Sequence, residues 1–356
     1  MKGKMLALLR RNRRTVLILA CLVGILFVCL LVAAAVGAVS IPPLDIVKMT
    51  LNKAALTNFD ATWETTDETI LFQIRLPRII AAALVGAALA AAGVLFQGLL
   101  RNPMADPYII GTSAGAAFGA TLVMMLPVGL MFHGFGLIPF AAFFGALGAV
   151  FLVYNLARVG GKTPVISMLL AGFAISSMLA AAMSFLITMS DQLQLRLHSV
   201  FSFLMGGVWV SNWSQIAIIA PLIIGGIVVA RFFAFRLNAF SLGEEGAAYL
   251  GIDVERDKLA ILALGSLLTG AAVSLSGLVG FVGLVVPHAV RLVLGPDHRL
   301  LLPAAALSGG AFLVLADLLA RTVLAPSEIP VGIITALVGA PFFIYLLRHT
   351  RREYAF

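Results

Sequence analysis

The chain has 356 residues, of which 61% are hydrophobic and 11% charged, and its formal net charge is +8. This composition lies far outside the range of soluble domains. The two cysteines, Cys21 and Cys29, lie in one apolar run where they cannot bridge, which excludes a disulfide framework. The cations stand at the ends of apolar runs, so the basic balance indicates orientation in a membrane rather than nucleic-acid binding.

Ten apolar runs of about 20 residues each predict ten helices that cross a membrane. They cover residues 15–37, 79–100, 108–128, 136–157, 165–188, 212–234, 259–276, 278–294, 300–320 and 330–347. The first run follows a basic start but is longer than the apolar core of a signal peptide, so we expect it to remain as a helix. An even number of spans places both termini on one side.

The lysines and arginines indicate which side that is. With this topology, 18 of the 24 cations lie on the side of the termini and six on the other. Because cytoplasmic loops carry the excess of lysine and arginine, the termini are predicted to be cytoplasmic. We therefore expect one transmembrane domain over residues 1–356, with a polar cytoplasmic segment at 236–258 and an external segment at 38–74.

The external segment ends at a pair of arginines. Residues 38–74 are predicted to contain a short helix followed by an acidic loop. Arg75 and Arg78 then open the second span and lie three residues apart on one helix face. Long cations at a membrane edge can snorkel to water, but two of the six external cations on one face also suit docking of an acidic partner. We favour docking.

The third span carries a packing signal. Asp106 and Pro107 predict its start, as a cap and a first helical residue. Gly111, Gly115 and Gly119 then recur every four residues. This spacing lets another helix backbone approach closely, so it indicates packing and not chemistry.

The loop before the fifth span ends in Gly-Lys-Thr at Thr163, like the end of a phosphate-binding loop. The first glycine of that motif would stand at position 156, which is Leu156. We therefore expect no nucleotide site and no ATP hydrolysis by this chain.

The fifth span carries several serines and methionines, among them Ser176 and Met183. Such hydroxyls often bond to their own helix, and such a face also suits a passage wall; the pattern leaves both readings open.

The polar segment 236–258 lies between two apolar spans. Ser241 is predicted to cap a short helix whose first turn holds Glu244 and Glu245, as the helix dipole favours. Gly251 is predicted to end this helix in the left-handed conformation. A short polar helix held between two spans suits binding by another protein, to which the membrane part would respond.

Few charges lie in the middle of the predicted spans. Asp317 and Arg321 lie four residues apart near an outer end and can pair. His288 has no companion ligand at metal-binding spacing, so its role is expected to be structural. Ion-coupled carriers generally need buried charges, and intramembrane enzymes need motifs such as paired carboxylates or HExxH that the chain lacks. We expect no catalytic residue, no bound cofactor and no metal.

Several stretches together resemble the FecCD family, permease subunits of bacterial ATP-driven importers for ferric siderophores, haem and cobalamin. They include IRLPRIIAAALVGAALAAAG, QGLLRNPMADPYIIGTSAGA, LGEEGAAYLGI, SGLVGFVGLVVPHAVRLVLGPDHRLLLP, LADLLAR and EIPVGIITALVGAPFFIYLL. The resemblance runs from about Gln73 to Leu347. It implies an all-α type II ABC importer permease fold with ten membrane helices. It also implies a homodimer, two cytoplasmic ATPase subunits that use the ATP, and an external substrate-binding protein.

The resemblance also implies roles for particular positions. Arg75, Arg78 and Arg321 match arginines that face glutamates of the binding protein. The helix that couples to the ATPase is matched by Ser241, Leu242, Gly243, Glu244, Glu245 and Gly251. The loop of residues 162–167 matches the cytoplasmic gate region of the family. The residues expected to line the gate or the pathway are Thr163, Val165, Ile166, Ser167, Ser176 and Met183. Val165 and Ile166 stand where small hydroxyl residues occur in the cobalamin system, which counts against cobalamin.

We therefore expect a permease in the bacterial inner membrane that moves an iron complex from an external binding protein into the cytoplasm. A ferric siderophore is the leading cargo, because siderophores are the commonest cargo in this family. Haem or cobalamin is the alternative, and an ion-coupled carrier is the alternative class. For haem, Arg196 could meet the propionates and His198 the iron. A heterodimer with a related permease is the alternative to the homodimer.

Overall fold

The computed structural model describes residues 2–37, 39–60, 63–126, 131–132, 135–210 and 212–349. Within these ranges the regular structure is helical except for an antiparallel hairpin of β1, Met131–Phe132, and β2, Phe135–Gly136. The helices are α1 (Lys2–Ala35), α2 (Pro43–Lys53), α3 (Thr65–Thr69), α4 (Leu76–Leu99), α5 (Thr112–Met124), α6 (Leu137–Ala157), α7 (Val165–Met189), α8 (Asp191–Leu195), α9 (Leu197–Met205), α10 (Trp213–Phe232), α11 (Ala234–Phe240), α12 (Glu244–Tyr249), α13 (Val254–Ser276), α14 (Val282–Leu294), α15 (His298–Thr322) and α16 (Val331–His349).

Ten apolar helices in the described ranges correspond to the ten predicted spans, which confirms the all-α membrane fold. Seven of them are long enough to cross a membrane, whereas α5, α14 and α16 are shorter. A π-helical turn, Ile70–Arg75, joins α3 to α4 into one helix from Thr65 to Leu99. Part of the external segment that was predicted to be loop is therefore helical.

The helix α4 lies at the centre of the bundle, against α10, α13, α14 and α15. Two glycines of α4 bring its backbone into contact with its neighbours. A Cβ atom on Gly86 would lie 2.1 Å from the carbonyl oxygen of Gly309 in α15, and one on Gly93 would lie 1.8 Å from that of Gly283 in α14. Only glycine permits so close an approach, which is how small residues pack membrane helices.

The helices α5 and α6 pack in the same manner. A Cβ atom on Gly115 would lie 2.2 Å from the carbonyl oxygen of Gly145, and one on Gly119 would lie 2.2 Å from that of Ala141. These two positions confirm the predicted close packing of the third span.

The predicted start of the third span is wrong. The helix α5 begins at Thr112, and the residue before it, Gly111, has a φ of +86°. Asp106 does not cap the helix but accepts the backbone N–H of Tyr108 at 2.8 Å, so it closes a local turn. Aspartate favours both caps and turns, and the sequence does not distinguish these roles at Pro107.

A glycine-rich turn separates α13 from α14, as the predicted boundary near residue 276 requires. Gly277 follows α13 with a φ of +59°, and Phe281 precedes α14 with a φ of +68°. Leu278 donates its backbone N–H to the carbonyl oxygen of Phe203 in α9 at 3.0 Å. A positive φ costs a non-glycine residue about 1–3 kcal/mol, so packing around the turn must hold Phe281 in place.

The helices α1 and α7 lie on the outside of the bundle. Only 11% of the most apolar stretch of α1 and 17% of that of α7 are buried, compared with 78% for the helix that contains α4. The outward apolar faces of these two helices are therefore available to lipid or to another protein.

Candidate coupling and docking sites

The short helix predicted in the polar segment is α12. It begins with Glu244 and Glu245, whose carboxylates lie at the positive end of the helix dipole. Gly251 follows the helix with a φ of +80°, as predicted. The helix is held between α11 and α13, so its position is fixed by two longer elements.

The predicted cap of this helix is wrong. The residue before α12 is Gly243, with a φ of +96° and no side-chain cap. Ser241 instead directly follows α11, where its hydroxyl donates to the carbonyl oxygen of Asn238 at 2.6 Å. The turn between the two helices needs a positive φ, and glycine meets that need better than a capping serine.

Exposed apolar side chains surround α12. Leu242, Tyr249 and Leu250 are all exposed, and Tyr249 is 90% exposed. The segment lies outside the predicted spans, so lipid does not account for these side chains. Exposed aromatic and aliphatic groups of this kind indicate contact with another protein. Tyr249 and Leu250 are missing from the predicted coupling residues, although their apolar character in a polar segment was a signal.

A buried lysine connects α12 to the loop before α7. Lys258 is 4% exposed, and its Nζ lies 2.7 Å from Glu244 Oε1, 3.1 Å from Glu255 Oε1 and 3.2 Å from the carbonyl oxygen of Thr163. Thr163 donates its backbone N–H to Glu255 Oε2 at 2.9 Å, and its hydroxyl bonds to the same oxygen. A buried ammonium group needs such partners.

This cluster, formed by Glu244, Glu255, Lys258 and Thr163, gives one continuous contact from α12 through α13 to the loop before α7. A displacement of α12 therefore acts on Thr163 through a single side chain. The sequence indicated Glu244 and Thr163 separately but did not indicate that Lys258 joins them. The Glu–Lys spacing of three at the start of α13 was the available signal.

The other predicted gate residues lie along α7. They are Val165, Ile166, Ser167, Ser176 and Met183. Ile166 is exposed and the other four are half-buried. Of the predicted gate residues the structure joins only Thr163 to α12, so a gating role for the residues of α7 stays a prediction.

The three arginines predicted to dock a partner lie together around the end of α1. Arg75 donates to the carbonyl oxygen of Ala34 at 2.8 Å and to that of Val39. Arg321 donates to the carbonyl oxygen of Ala33 at 2.8 Å. The last carbonyl groups of a helix lack intrahelical partners and carry partial negative charge, so guanidinium groups stabilise them.

An ion-pair cluster fixes the third arginine. Arg78 lies 2.9 Å from Asp317 and 2.9 Å from Glu328, and Asp317 also lies 3.3 Å from Arg321. The pairing of Asp317 with Arg321 was predicted. The cluster ties α4 to α15 and to the segment before α16.

The three arginines predicted to dock a partner are largely buried. Arg75 is 5% exposed, and the side chains of Arg321 and Arg78 are only 9% and 18% exposed. Their charge is directed to oxygens of the chain itself. The part of this cluster that reaches the surface is the pair of Arg78 with the half-exposed Glu328. Docking by these arginines stays a prediction, but it cannot rest on unpaired cations at the external surface, because all three side chains already bind oxygens of the chain.

The two residues predicted to contact haem differ in their surroundings. Arg196 donates to the carbonyl oxygens of Met124 and Leu126 at 3.1 and 3.3 Å, so it stabilises the end of α5. His198 is exposed and lines a cavity of about 350 Å³ together with Trp209. Among the described residues there is no group of three or more metal-binding side chains.

Comparison with known proteins bears directly on this arrangement. Residues 25–349 match the model of the FecCD transport family. The chain belongs to the FecCD transport family. This match confirms the resemblance seen in the sequence motifs, and it makes the chain a multi-pass membrane permease of an ABC importer and not an enzyme.

Individual FecCD relatives are similar over most of the chain. The cobalamin import system permease protein BtuC of Halobacterium salinarum is 50% identical over 80% of this chain and 74% of its own length. The hemin transport system permease protein HmuU of Yersinia pestis is 41% identical over 91% of this chain and 94% of its own. A solved inward-facing structure of a metal-chelate type ABC transporter superposes with a TM-score of 0.79 and 30% identity, covering 93% of this chain and 99% of the other.

Proposed function

We propose that this chain is the membrane-spanning permease of an ATP-driven importer that carries a large metal chelate into the cytoplasm. The observation that carries the proposal is the match to the FecCD transport family over residues 25–349. The contacts of Lys258 support it by showing how energy could enter: a cytoplasmic ATPase that binds α12 would act on Thr163 and α7.

Contact with the ATPase is assigned to the exposed surface of α12. Leu242, Tyr249 and Leu250 offer apolar contacts, and Glu245 offers an exposed carboxylate beside them. ATP is bound and hydrolysed by the partner subunit, and no cofactor is held by this chain. The excess of cations on the side of the termini supports a cytoplasmic position for α12 and for both termini, in the inner membrane.

The assembly follows from the number of coupling helices. One chain supplies one α12, whereas a pair of ATPase subunits would need two. We therefore propose a homodimer with two ATPase subunits and an external binding protein. The sparsely buried α7, with exposed side chains such as Phe173 and Ile166, offers a face for the second copy or for the passage between the copies.

For the cargo we propose a metallated tetrapyrrole, cobalamin or haem, ahead of the ferric siderophore that the sequence predicted. Two relatives named for cobalamin and hemin are 50% and 41% identical, whereas the iron(3+)-hydroxamate permease FhuG of Bacillus subtilis is 38% identical. His198 in its external cavity adds an imidazole that suits a metal-centred ligand. The ferric siderophore remains the second candidate.

The test is uptake by proteoliposomes that contain the permease, its ATPase and its binding protein. Cobalamin, haem and a ferric hydroxamate are compared with ATP enclosed and with ATP absent. We expect uptake of one tetrapyrrole that depends on ATP. Uptake of the hydroxamate alone would reject the cargo proposal, and uptake driven by an ion gradient without ATP would reject the importer class.

A further inference from the structure

A cavity of about 400 Å³ opens between the start of the apolar part of α1, the end of α10 and the turn before α15. Its wall carries three arginines, Arg14, Arg231 and Arg299, and one carboxylate, Asp297. Asp297 already accepts the side-chain amide N–H of Asn238 at 2.8 Å and the backbone N–H of Arg299 at 3.0 Å. The cavity therefore presents positive charge to a ligand.

The three arginines are available to an anion. All three are exposed, and within the described ranges none of them forms an ion pair. The guanidinium of Arg299 lies 5.8 Å from the centre of the ring of Phe235, which orients the side chain without neutralising it. Guanidinium groups bind phosphate through parallel N–H bonds, so this arrangement suits a phosphate group.

An apolar groove of about 470 Å³ adjoins this basic cavity, and Ile18 and Leu294 line both. The groove runs between α1, α14 and α15, and its wall includes Leu22, Val290 and Phe312. From Arg14 to Leu22 the helix α1 rises about 12 Å, at about 1.5 Å per residue. Charge therefore lies at one end of the combined space and hydrocarbon side chains line the rest.

The basic cavity lies at one level of the membrane. Arg14 stands at the start of the apolar part of α1, Arg231 in the last turn of α10 and Arg299 in the first turn of α15. The predicted topology places all three ends at the cytoplasmic surface, where anionic lipids concentrate.

We propose that an anionic phospholipid of the cytoplasmic leaflet binds here, with its phosphate among Arg14, Arg231 and Arg299 and an acyl chain in the adjoining groove. A free phosphate ion would leave the groove empty. A zwitterionic lipid would bring its own cation against three arginines. The site is separate from α12 and from the outer cluster, so it adds a lipid partner to the proposed function.

The test uses the full-length permease, purified in detergent, delipidated and examined by native mass spectrometry. Phosphatidylglycerol, phosphatidylcholine and inorganic phosphate are added separately. The double variant Arg231→Gln/Arg299→Gln removes charge, and Ala289→Phe narrows the groove. Arg158→Gln is the matched control, because Arg158 is an exposed arginine at the end of α6 and lies outside the cavity.

We expect phosphatidylglycerol to bind in preference to phosphatidylcholine, and the double variant to weaken that binding about tenfold or more. Ala289→Phe should weaken the binding of phosphatidylglycerol, whereas Arg158→Gln should leave it unchanged. Equal retention of the two lipids, or equal losses in the double variant and Arg158→Gln, would overturn the proposal. Binding of inorganic phosphate that Ala289→Phe does not alter, without lipid binding, would also overturn it. So would loss of a dimer in the double variant, because the face would then belong to a second copy.

Discussion

The ion pair between Glu244 and Lys258 can be removed without removing either helix. Glu244→Gln keeps the size of the side chain and its position in the first turn of α12, but it abolishes the ion pair at 2.7 Å. Lys258 would keep Glu255 and the carbonyl oxygen of Thr163 as partners. The substitution therefore tests the link from α12 to Thr163 and leaves the rest of the cluster in place.

The size of the expected effect depends on how far solvent screens the ion pair between Glu244 and Lys258. Lys258 is buried, but the side chain of Glu244 is 39% exposed, so solvent screens the pair. Its contribution to the free energy of unfolding is then about 0.5–1 kcal/mol. If the same free energy couples α12 to α7, losing about 1 kcal/mol changes the coupling equilibrium about fivefold. We expect the amount of cargo imported per ATP hydrolysed to fall by about twofold to fivefold, with ATP hydrolysis maintained.

The assay measures uptake and phosphate release in the same proteoliposomes. Asp257→Asn is the matched control, because it removes another ion pair of α13, with Arg236 at 3.1 Å, that touches neither α12 nor Thr163. Lys258→Met and the double variant complete a double-mutant cycle. Equal coupling ratios in Glu244→Gln and the wild type, or an equal loss in Asp257→Asn, would refute a transmitting role for this contact.

Three further predictions concern packing, the outer cluster and assembly. Gly86→Val should lower the free energy of unfolding by about 1–3 kcal/mol or more, because its side chain would collide with the backbone of α15. Gly148 has open space around it, so Gly148→Val should lower that free energy less. Comparable melting temperatures of the two variants would contradict this. Asp317→Asn should lower the free energy of unfolding by about 3–5 kcal/mol, because Arg78 would lose its buried partner. Glu328→Gln removes the half-exposed pair and should lower it by about 0–1 kcal/mol. Thermal unfolding of the two variants measures the difference. Native mass spectrometry of the permease with its ATPase should show two copies of each, and a stable complex with one permease copy would argue against the homodimer.

The spans and the short helix α12 were predictable because their signals are local. An apolar run of about 20 residues needs no tertiary information, and Gly251 marks the end of α12 by its own conformational freedom. Ser241 shows the limit of such signals. Serine is favoured at helix starts, but here a positive-φ glycine two residues later sets the start, and the serine closes the preceding helix.

The partners of buried charges were not predictable, because they come from distant parts of the chain. Arg75 binds carbonyl groups about 40 positions earlier in the chain. Lys258 donates to the carbonyl oxygen of Thr163, which lies in the loop between α6 and α7. An arginine at a membrane edge has the same local sequence whether it faces a partner protein or the end of α1. Only the packing of α1 against α4 and α15 distinguishes these cases.

The backbone contacts at Gly86 and Gly93 have a mechanical consequence. Where carbonyl groups of α15 and α14 occupy the space of a missing Cβ, the helices cannot slide along one another without collision. The three helices must then tilt as one stiff body. The helix α7 is loosely enclosed, and Lys258 joins the loop before it to α12. This helix is left as the compliant part of the chain, so amide hydrogen exchange should be faster in α7 than in α4.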